Sequence, residues 1–553
     1  MRRVVPATLV LALALALAHP APVGADHAHE GSGSAVPAAK RIEGLGTWHH
    51  AVTTTSPEAQ AYFDQGLRLC YAFNHEEAIR AFQQAATIDP ACAMAYWGIA
   101  LAHGPNINLP MEKESEQKAY DALLKATELM KGATPAERDY ITALTARYGA
   151  AAGADREARD QRYAAAMRRL AARYPKDPDA ATLCAEALMD QHPWDFWTTA
   201  GEAKPWTNEI VQRLERVLAR WPDHPGANHY YVHAVEASRN PGRALPSAGR
   251  LMNMMPAAGH LVHMPAHIFE RTGRYEAAAE ANRRAIVVDE DYIRKDHIQG
   301  VYAMMYYPHN IHFLTAALCM EGRSAEALRE AHKVGPMVTP AMLALMPMAE
   351  FVVPVPLFVQ TRFGRWDDIL REPRPAAGML YTTGIWHYAR GLAFAAKNQP
   401  GRADAERDSL AALADRLPAD FIVGFNRAGA LLHVAANALA GEITARRGEY
   451  ARAVAHLEAA VETEDQLVYD EPPDWLNPVR QSLGAVLLEA GRAREAERVY
   501  REDLARNPGN GWSLYGLARS LRAERRDREA ADTEKAFAAA WSHADVKLTA
   551  SRV

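Results

Sequence analysis

The sequence predicts an all-α chain in which helix hairpins stack on one another as a solenoid. Two observations carry the prediction. Ala is abundant and β-branched runs are few, a composition that leans helical. A turn signature also recurs: Gly273–Arg274–Tyr275, Gly322–Arg323–Ser324, Gly364–Arg365–Trp366, Gly448–Glu449–Tyr450 and Gly491–Arg492–Ala493, each followed three or four positions on by a small or apolar residue. Gly ends the first helix of a hairpin, and the small residue lets the second pack closely. At 553 residues the chain is long enough for such an array, and 49% hydrophobic with 23% charged residues is ordinary globular composition. The net charge is −5 with both signs interspersed, which excludes a basic nucleic-acid footprint.

From the N-terminus, Arg2 and Arg3, the apolar run Ala7–Ala18 and the small residues around Val23–Gly24–Ala25 read as an export signal over 1–25. The apolar run is too short to span a bilayer comfortably and no later stretch is long enough, so the mature chain is expected to be periplasmic or secreted, with no membrane span. Residues 26–55 are expected to form a flexible lead, since Asp26–Lys40 is rich in His, Gly, Ser, Ala and Pro. The cysteines Cys70, Cys92, Cys184 and Cys319 are widely spaced without a CxxC, so isolated buried thiols are expected, with a Cys70–Cys92 pairing as the alternative.

Ser56 with Pro57 starts the first helix. Tyr62, Gly66, Ala78, Phe82 and Pro90 then fall at the offsets W-x2-L-G-x2-Y, A-x3-F and P of a 34-residue period, and Leu483, Gly484, Leu487, Ala496, Tyr500 and Pro508 repeat them. On these residues the chain resembles the tetratricopeptide repeat (TPR) family over most of Ser56–Phe537. The resemblance implies a right-handed superhelix of about nine or ten hairpins with a concave groove, here assigned to 56–540 and followed by a tail at 541–553. Runs such as FDQGLRLCYAFNHEEAIRAF and PVRQSLGAVLLEAGR also resemble a subgroup of exported bacterial TPR proteins, a likeness that lends no firm activity. Insertions are expected near 104–134, 190–208 (with Trp194, Phe196, Trp197 and Trp206) and 287–307, and Pro354 and Pro356 break a helix at Glu350–Phe358.

Three stretches carry the chemistry. Gly259–Tyr275 offers His260, His263 and His267; Asn228–Glu236 offers His229, His233 and Glu236; Pro308–Phe313 offers His309 and His312. Spacings of three and four put such residues on one helix face. Counting from Pro225, Pro256 and Gly322 makes most of them the second, fifth and ninth residues of first helices, positions that in the TPR family line the groove. Of nine such positions in three hairpins six are His, one is Glu236, and the others are Val232 and Ala316; His233 falls one residue off that face. Imidazoles from adjacent helices can share a metal at about 2.0–2.1 Å. The metal ligands expected are therefore His229, His233, His260, His263, His267, His309 and His312. Copper is favoured because Met252, Met254, Met255, Met264, Met304 and Met305 lie in or beside these stretches, with iron or zinc next.

Glu236 is the acidic candidate for base or ligand, and Tyr307 heads the tyrosines, with Tyr230, Tyr231, Tyr302 and Tyr306, that would serve as proton or electron partners. The expected function is an exported metal-binding superhelix, an oxidoreductase rather than a hydrolase if it is an enzyme, taking a small molecule or peptide in the groove. The alternative is a scaffold binding an extended peptide without metal, through residues such as Trp512 and Tyr515. Clustered imidazoles holding an anionic peptide or phosphate are a further reading. His75 and His103 take ordinary repeat positions. No GxSxG, HExxH or phosphate loop is present.

Overall fold

The computed structural model describes residues 39–150, 153, 155–296 and 300–552, so the export segment and the first part of the lead lie outside the described residues. The fold is all-α: helices pack in chain order as antiparallel hairpins, and the only strands among the described residues are Ile422–Val423 and Asn426–Arg427, a two-stranded antiparallel pair. The chain divides into two compact units, one formed mainly by residues up to 234 and the other mainly by residues from 235 onward.

The first unit begins with the hairpin Pro57–Tyr71 and His75–Ile88. Ser56 caps the first helix by accepting from the Ala59 N–H at 3.2 Å. Gly66 and Gly98 are required because a Cβ at either would run into the Phe82 ring, which fills the space between their helices. The lead is not flexible throughout: residues 39–55 are packed down. Tyr62 donates to the Ala39 carbonyl at 3.0 Å, and Ile42 N–H donates to Gln65 Oε1 at 3.0 Å. His50 meets Asp179 at 2.8 Å, and the same buried carboxylate accepts from Trp48 Nε1 at 3.0 Å and Tyr71 OH at 2.5 Å, with His224 Nε2 at 3.2 Å. One carboxylate with four donors is a structural tie that composition cannot foretell.

In the second unit all five predicted turn glycines, Gly273, Gly322, Gly364, Gly448 and Gly491, adopt positive φ between 63° and 77°. The segment before Phe358 is broken as expected, into a short 3₁₀ stretch Pro347–Val352 and a helix Val355–Arg362. The expected helix start at Pro308 is displaced. The helix runs Val301–Met320 with Pro308 inside it, because the turns from Gly300 onward continue the helix through a residue that lacks only one backbone donor. The four cysteines are buried and free. No helix among the described residues is long and apolar enough to cross a membrane.

Candidate metal centre

The histidine-bearing chain at Gly259 is two short helices, Gly259–His263 and Pro265–Arg271, parted by a proline that lacks the next backbone donor. They pair with the long helix Tyr275–Asp296, which in turn packs on Val301–Met320. One buried carboxyl ties the pieces together. Asp289 accepts from Tyr302 OH and from Asn310 Nδ2, each at 2.7 Å, and Tyr302 OH accepts from the His260 N–H at 3.1 Å. Burial pushes the Asp289 carboxyl up to about 7, against the pull of those two hydrogen bonds. The carboxylate lies so close to Gly259 that any Cβ there would overlap it.

His263, His267 and His309 come together on this frame. His263 Nε2 lies 2.8 Å from His267 Nε2 and 3.2 Å from His309 Nε2. His263 and His267 are buried, and the three rings pack around Phe313. The outer nitrogens of the first two are already committed. Asn282 donates through Nδ2 to the Ala278 carbonyl at 2.9 Å, which turns its Oδ1 toward His263, and His263 Nδ1 donates to that oxygen at 2.6 Å. His267 Nδ1 faces two carboxylates, Glu236 Oε2 at 2.6 Å and Glu471 Oε2 at 2.8 Å. With Nδ1 carrying the proton in both rings, each neutral imidazole turns an Nε2 lone pair toward the other. Two lone pairs at 2.8 Å repel unless a cation lies between or beside them.

That cation is a proton or a metal ion. Burial alone would lower the His267 pKa, but Glu236 and Glu471 outweigh it and hold the ring up to about 10, so an imidazolium donating to His263 Nε2 satisfies the geometry. A metal satisfies it as well. Ligands about 2.0–2.1 Å from a tetrahedral ion stand roughly 3.3 Å from one another, close to the separations seen. Carboxylates and an amide behind the ligand rings are the arrangement that orients imidazoles and raises their basicity toward a metal. The carboxylates at His267 Nδ1 favour a cation in either form, whereas burial, with the Glu471 charge adding, pushes the nearby Glu270 carboxyl well up toward its neutral state, and Arg271 offsets part of the Glu471 charge from 3.9 Å.

The other residues singled out by sequence lie as follows. His260 stacks beside His263 at 5.9 Å between ring centroids and rests on Tyr306 at 4.6 Å. His312, one turn beyond His309, is buried with no hydrogen-bond partner at Nδ1, and burial lowers it to about 4, so it is a neutral ring near Phe351. Tyr307 donates to Glu290 Oε1 at 2.9 Å; two residues before His309, it points to another side of the helix. Glu236 backs His267. In the first unit, His229 and His233 are buried with their rings 5.0 Å apart, His229 Nδ1 donates to the Tyr71 carbonyl at 2.6 Å, and Trp194 meets His233 edge-on at 5.2 Å. His75 and His103 are held neutral by burial, each lowered to about 4. Trp512 is not a groove residue. It is buried, with Nε1 donating to the Cys319 carbonyl at 2.9 Å.

Asn282, Asp289 and Glu471 were not foreseen. Glu471 is 204 residues from His267 and carries no local periodicity. Asn282 and Asp289 sit on the second helix of the His hairpin and are fully buried. Polar residues at positions where that helix turns toward the first were the available signal.

No protein-family model matches this chain, and no curated protein does. Among solved structures, the human IFIT1 dimer with m7Gppp-AAAA aligns at 12% identity over 88% of this chain and 91% of its own, with a TM-score of 0.31. Yeast Tom70 aligns at 9% identity over 87% and 93%, TM-score 0.29. The APC/C hetero-tetramer Cut9–Hcn1 aligns at 14% identity over 84% and 76%, TM-score 0.32. All three are TPR-containing helical-repeat proteins, and the all-α hairpin fold of this chain rests on its own helices and their packing.

Proposed function

We propose that this protein is a helical-repeat metal-binding protein whose ion is held by His263, His267 and His309. The observation that carries the reading is the pair of Nε2 atoms 2.8 Å apart, each on a ring whose Nδ1 is already taken. Three imidazoles suit copper, zinc or iron. Neighbouring thioethers favour copper, but Met255 and Met264 are buried core residues, so the donor set itself speaks equally for zinc. An ion held by these three imidazoles would supply a Lewis acid or an activated water. The chain's own part is to hold the three rings, fix their tautomers through Asn282, Glu236 and Glu471, and surround them with buried carboxyls. Glu236 acts in this reading through His267. An exported location, as read from residues 1–25, belongs to the same proposal, as does a small molecule or peptide as the species met at the ion.

A second reading is a peptide-binding scaffold in which a proton bridges His263 and His267 and no metal is held. The repeat architecture of the whole chain supports this reading more directly than it supports metal chemistry, because stacked hairpins characteristically present extended binding surfaces. The two part on one measurement. Untagged protein, purified without chelator, is assayed for metal by mass spectrometry beside the His263→Ala and His309→Ala variants. Stoichiometric metal in the parent and none in the variants supports the first reading. Metal-free protein that also takes up no added Zn²⁺ or Cu²⁺ above the variants' level leaves the scaffold.

A further inference from the structure

Four arginines are buried among the described residues: Arg147, Arg159, Arg362 and Arg480. Three have carboxylates. Arg147 pairs with Asp190, Arg159 with Glu116 at 2.5 Å and Arg480 with Asp465 at 2.6 Å. Arg362, at the end of the Val355–Arg362 helix in the second unit, has none. Its Nη1 donates to Gln481 Oε1 at 2.6 Å, its Nη2 reaches only Met320 Sδ at 3.8 Å, and its Nε has no acceptor. The guanidinium lies over the Trp512 ring at 4.0 Å. The nearest help comes through Gln481, whose Nε2 donates to Asp503 at 3.2 Å, and that carboxylate is already engaged by Ser513 Oγ at 2.6 Å and Asn510 Nδ2 at 3.1 Å. Burial lowers Arg362 to about 10, which leaves it ionised at neutral pH. A buried charge without a counter-charge is an arrangement proteins rarely keep without a reason.

Arg362 lines a cavity of about 60 Å³, together with Tyr388, Trp475, Asn477, Gln481 and Trp512. A second donor on the same cavity also lacks an acceptor: the buried indole Nε1 of Trp475. Asn477 Oδ1, on the same wall, lacks a donor, since the Asn477 amide nitrogen is spent on the Phe358 carbonyl and Thr361 Oγ1, each at 3.1 Å. Two further arginines line this cavity, Arg446 and Arg552, and Arg552 is matched by Glu442, on the same lining, and by Glu489. The space holds roughly four waters, the bulk of a carboxylate with a few carbons attached.

We propose that this cavity binds a small organic carboxylate. Its oxygens accept from the Arg362 guanidinium and the Trp475 indole N–H, its carbon body lies among the rings of Tyr388, Trp475 and Trp512, and a hydroxyl on the adjacent carbon would donate to Asn477 Oδ1. A 2-hydroxy acid therefore fits better than the unsubstituted acid. The site is separate from the histidine centre and stands whether or not that centre holds metal.

The test uses the full chain at constant ionic strength, titrated with lactate, propionate and the neutral isostere propionamide, followed by calorimetry and by Trp fluorescence. Expected is saturable binding of lactate, weaker binding of propionate and none of propionamide. Trp475→Phe keeps an aromatic ring, though a smaller one, and removes the donor, and weakens lactate roughly tenfold, the size of one hydrogen bond to a charged group. Arg362→Gln abolishes binding. Should Arg362→Gln not fold, Trp475→Phe and the neutral isostere still decide. Absence of saturable lactate binding, equal binding of propionamide, or a Trp475→Phe variant that binds as the parent does overturns the proposal.

Discussion

His263 and His267 face each other through Nε2 atoms 2.8 Å apart, while Asn282 fixes the outer nitrogen of one and Glu236 with Glu471 that of the other. Everything chemical proposed for the histidine centre follows from that relationship. The first prediction is that His267→Gln, which removes the shared nitrogen pair, lowers Zn²⁺ or Cu²⁺ affinity by at least about a hundredfold, as loss of one ligand of a three-imidazole site does. Competition titration against a chromophoric chelator measures it.

Asn282 gives a subtler handle. Asn282→Ala leaves all three imidazoles in place but frees His263 to carry its proton on either nitrogen. Metal affinity should fall about 10- to 100-fold, while circular dichroism keeps its helical signal. An unchanged affinity would show that the tautomer of His263 does not matter.

The carboxylates behind His267 should act on the same scale. Glu471→Gln keeps the shape and removes one charge from His267 Nδ1, so metal affinity should drop about tenfold or more. In metal-free protein the same change should bring the imidazole titration of His267 down from about 10, read by NMR of the ring protons.

Gly259→Ala tests the frame. Its Cβ would overlap the buried Asp289 carboxylate, so either Asp289 or the start of the His helix must shift. The expected loss is about 1–3 kcal/mol by urea unfolding, in the range of overpacked cores, with a matching loss of metal affinity.

The first unit has its own pH dependence. Burial works to lower the His50 pKa, but its hydrogen bond to Asp179 and that carboxylate's charge outweigh it and push the ring up to about 9. A histidine raised on folding stabilises the fold fully below its unfolded value of about 6.5 and loses that contribution as pH climbs through about 9. His50→Gln should therefore cost about 1–3 kcal/mol at pH 6 and little at pH 10, measured by urea unfolding at both. An equal cost at both would assign the effect to packing alone.

The repeat was legible because it is local. A Gly that must adopt positive φ, a small residue beneath an aromatic ring and a proline at a repeat's end are dictated within a few residues, and Gly273, Gly322, Gly364, Gly448 and Gly491 behave as read. The histidine face of Gly259–Arg271 was legible for the same reason, since spacings of three and four determine a common side of a helix. Which imidazoles meet was not. His309 joins His263 and His267, while His312, a turn later on the same helix, points into apolar packing, because the helix begins at Val301 and its rotation is set by the Asp289–Tyr302–Asn310 tie. Glu471 reaches His267 from 204 residues away, and among the buried arginines of the described residues Arg362 lacks the carboxylate that the other three have. By itself, then, the sequence determined helices, turns and the residues able to do chemistry. Only tertiary packing decided which polar groups are buried together and which are left wanting a partner, because the electrostatics of burial depend on neighbours that the chain brings in from far away.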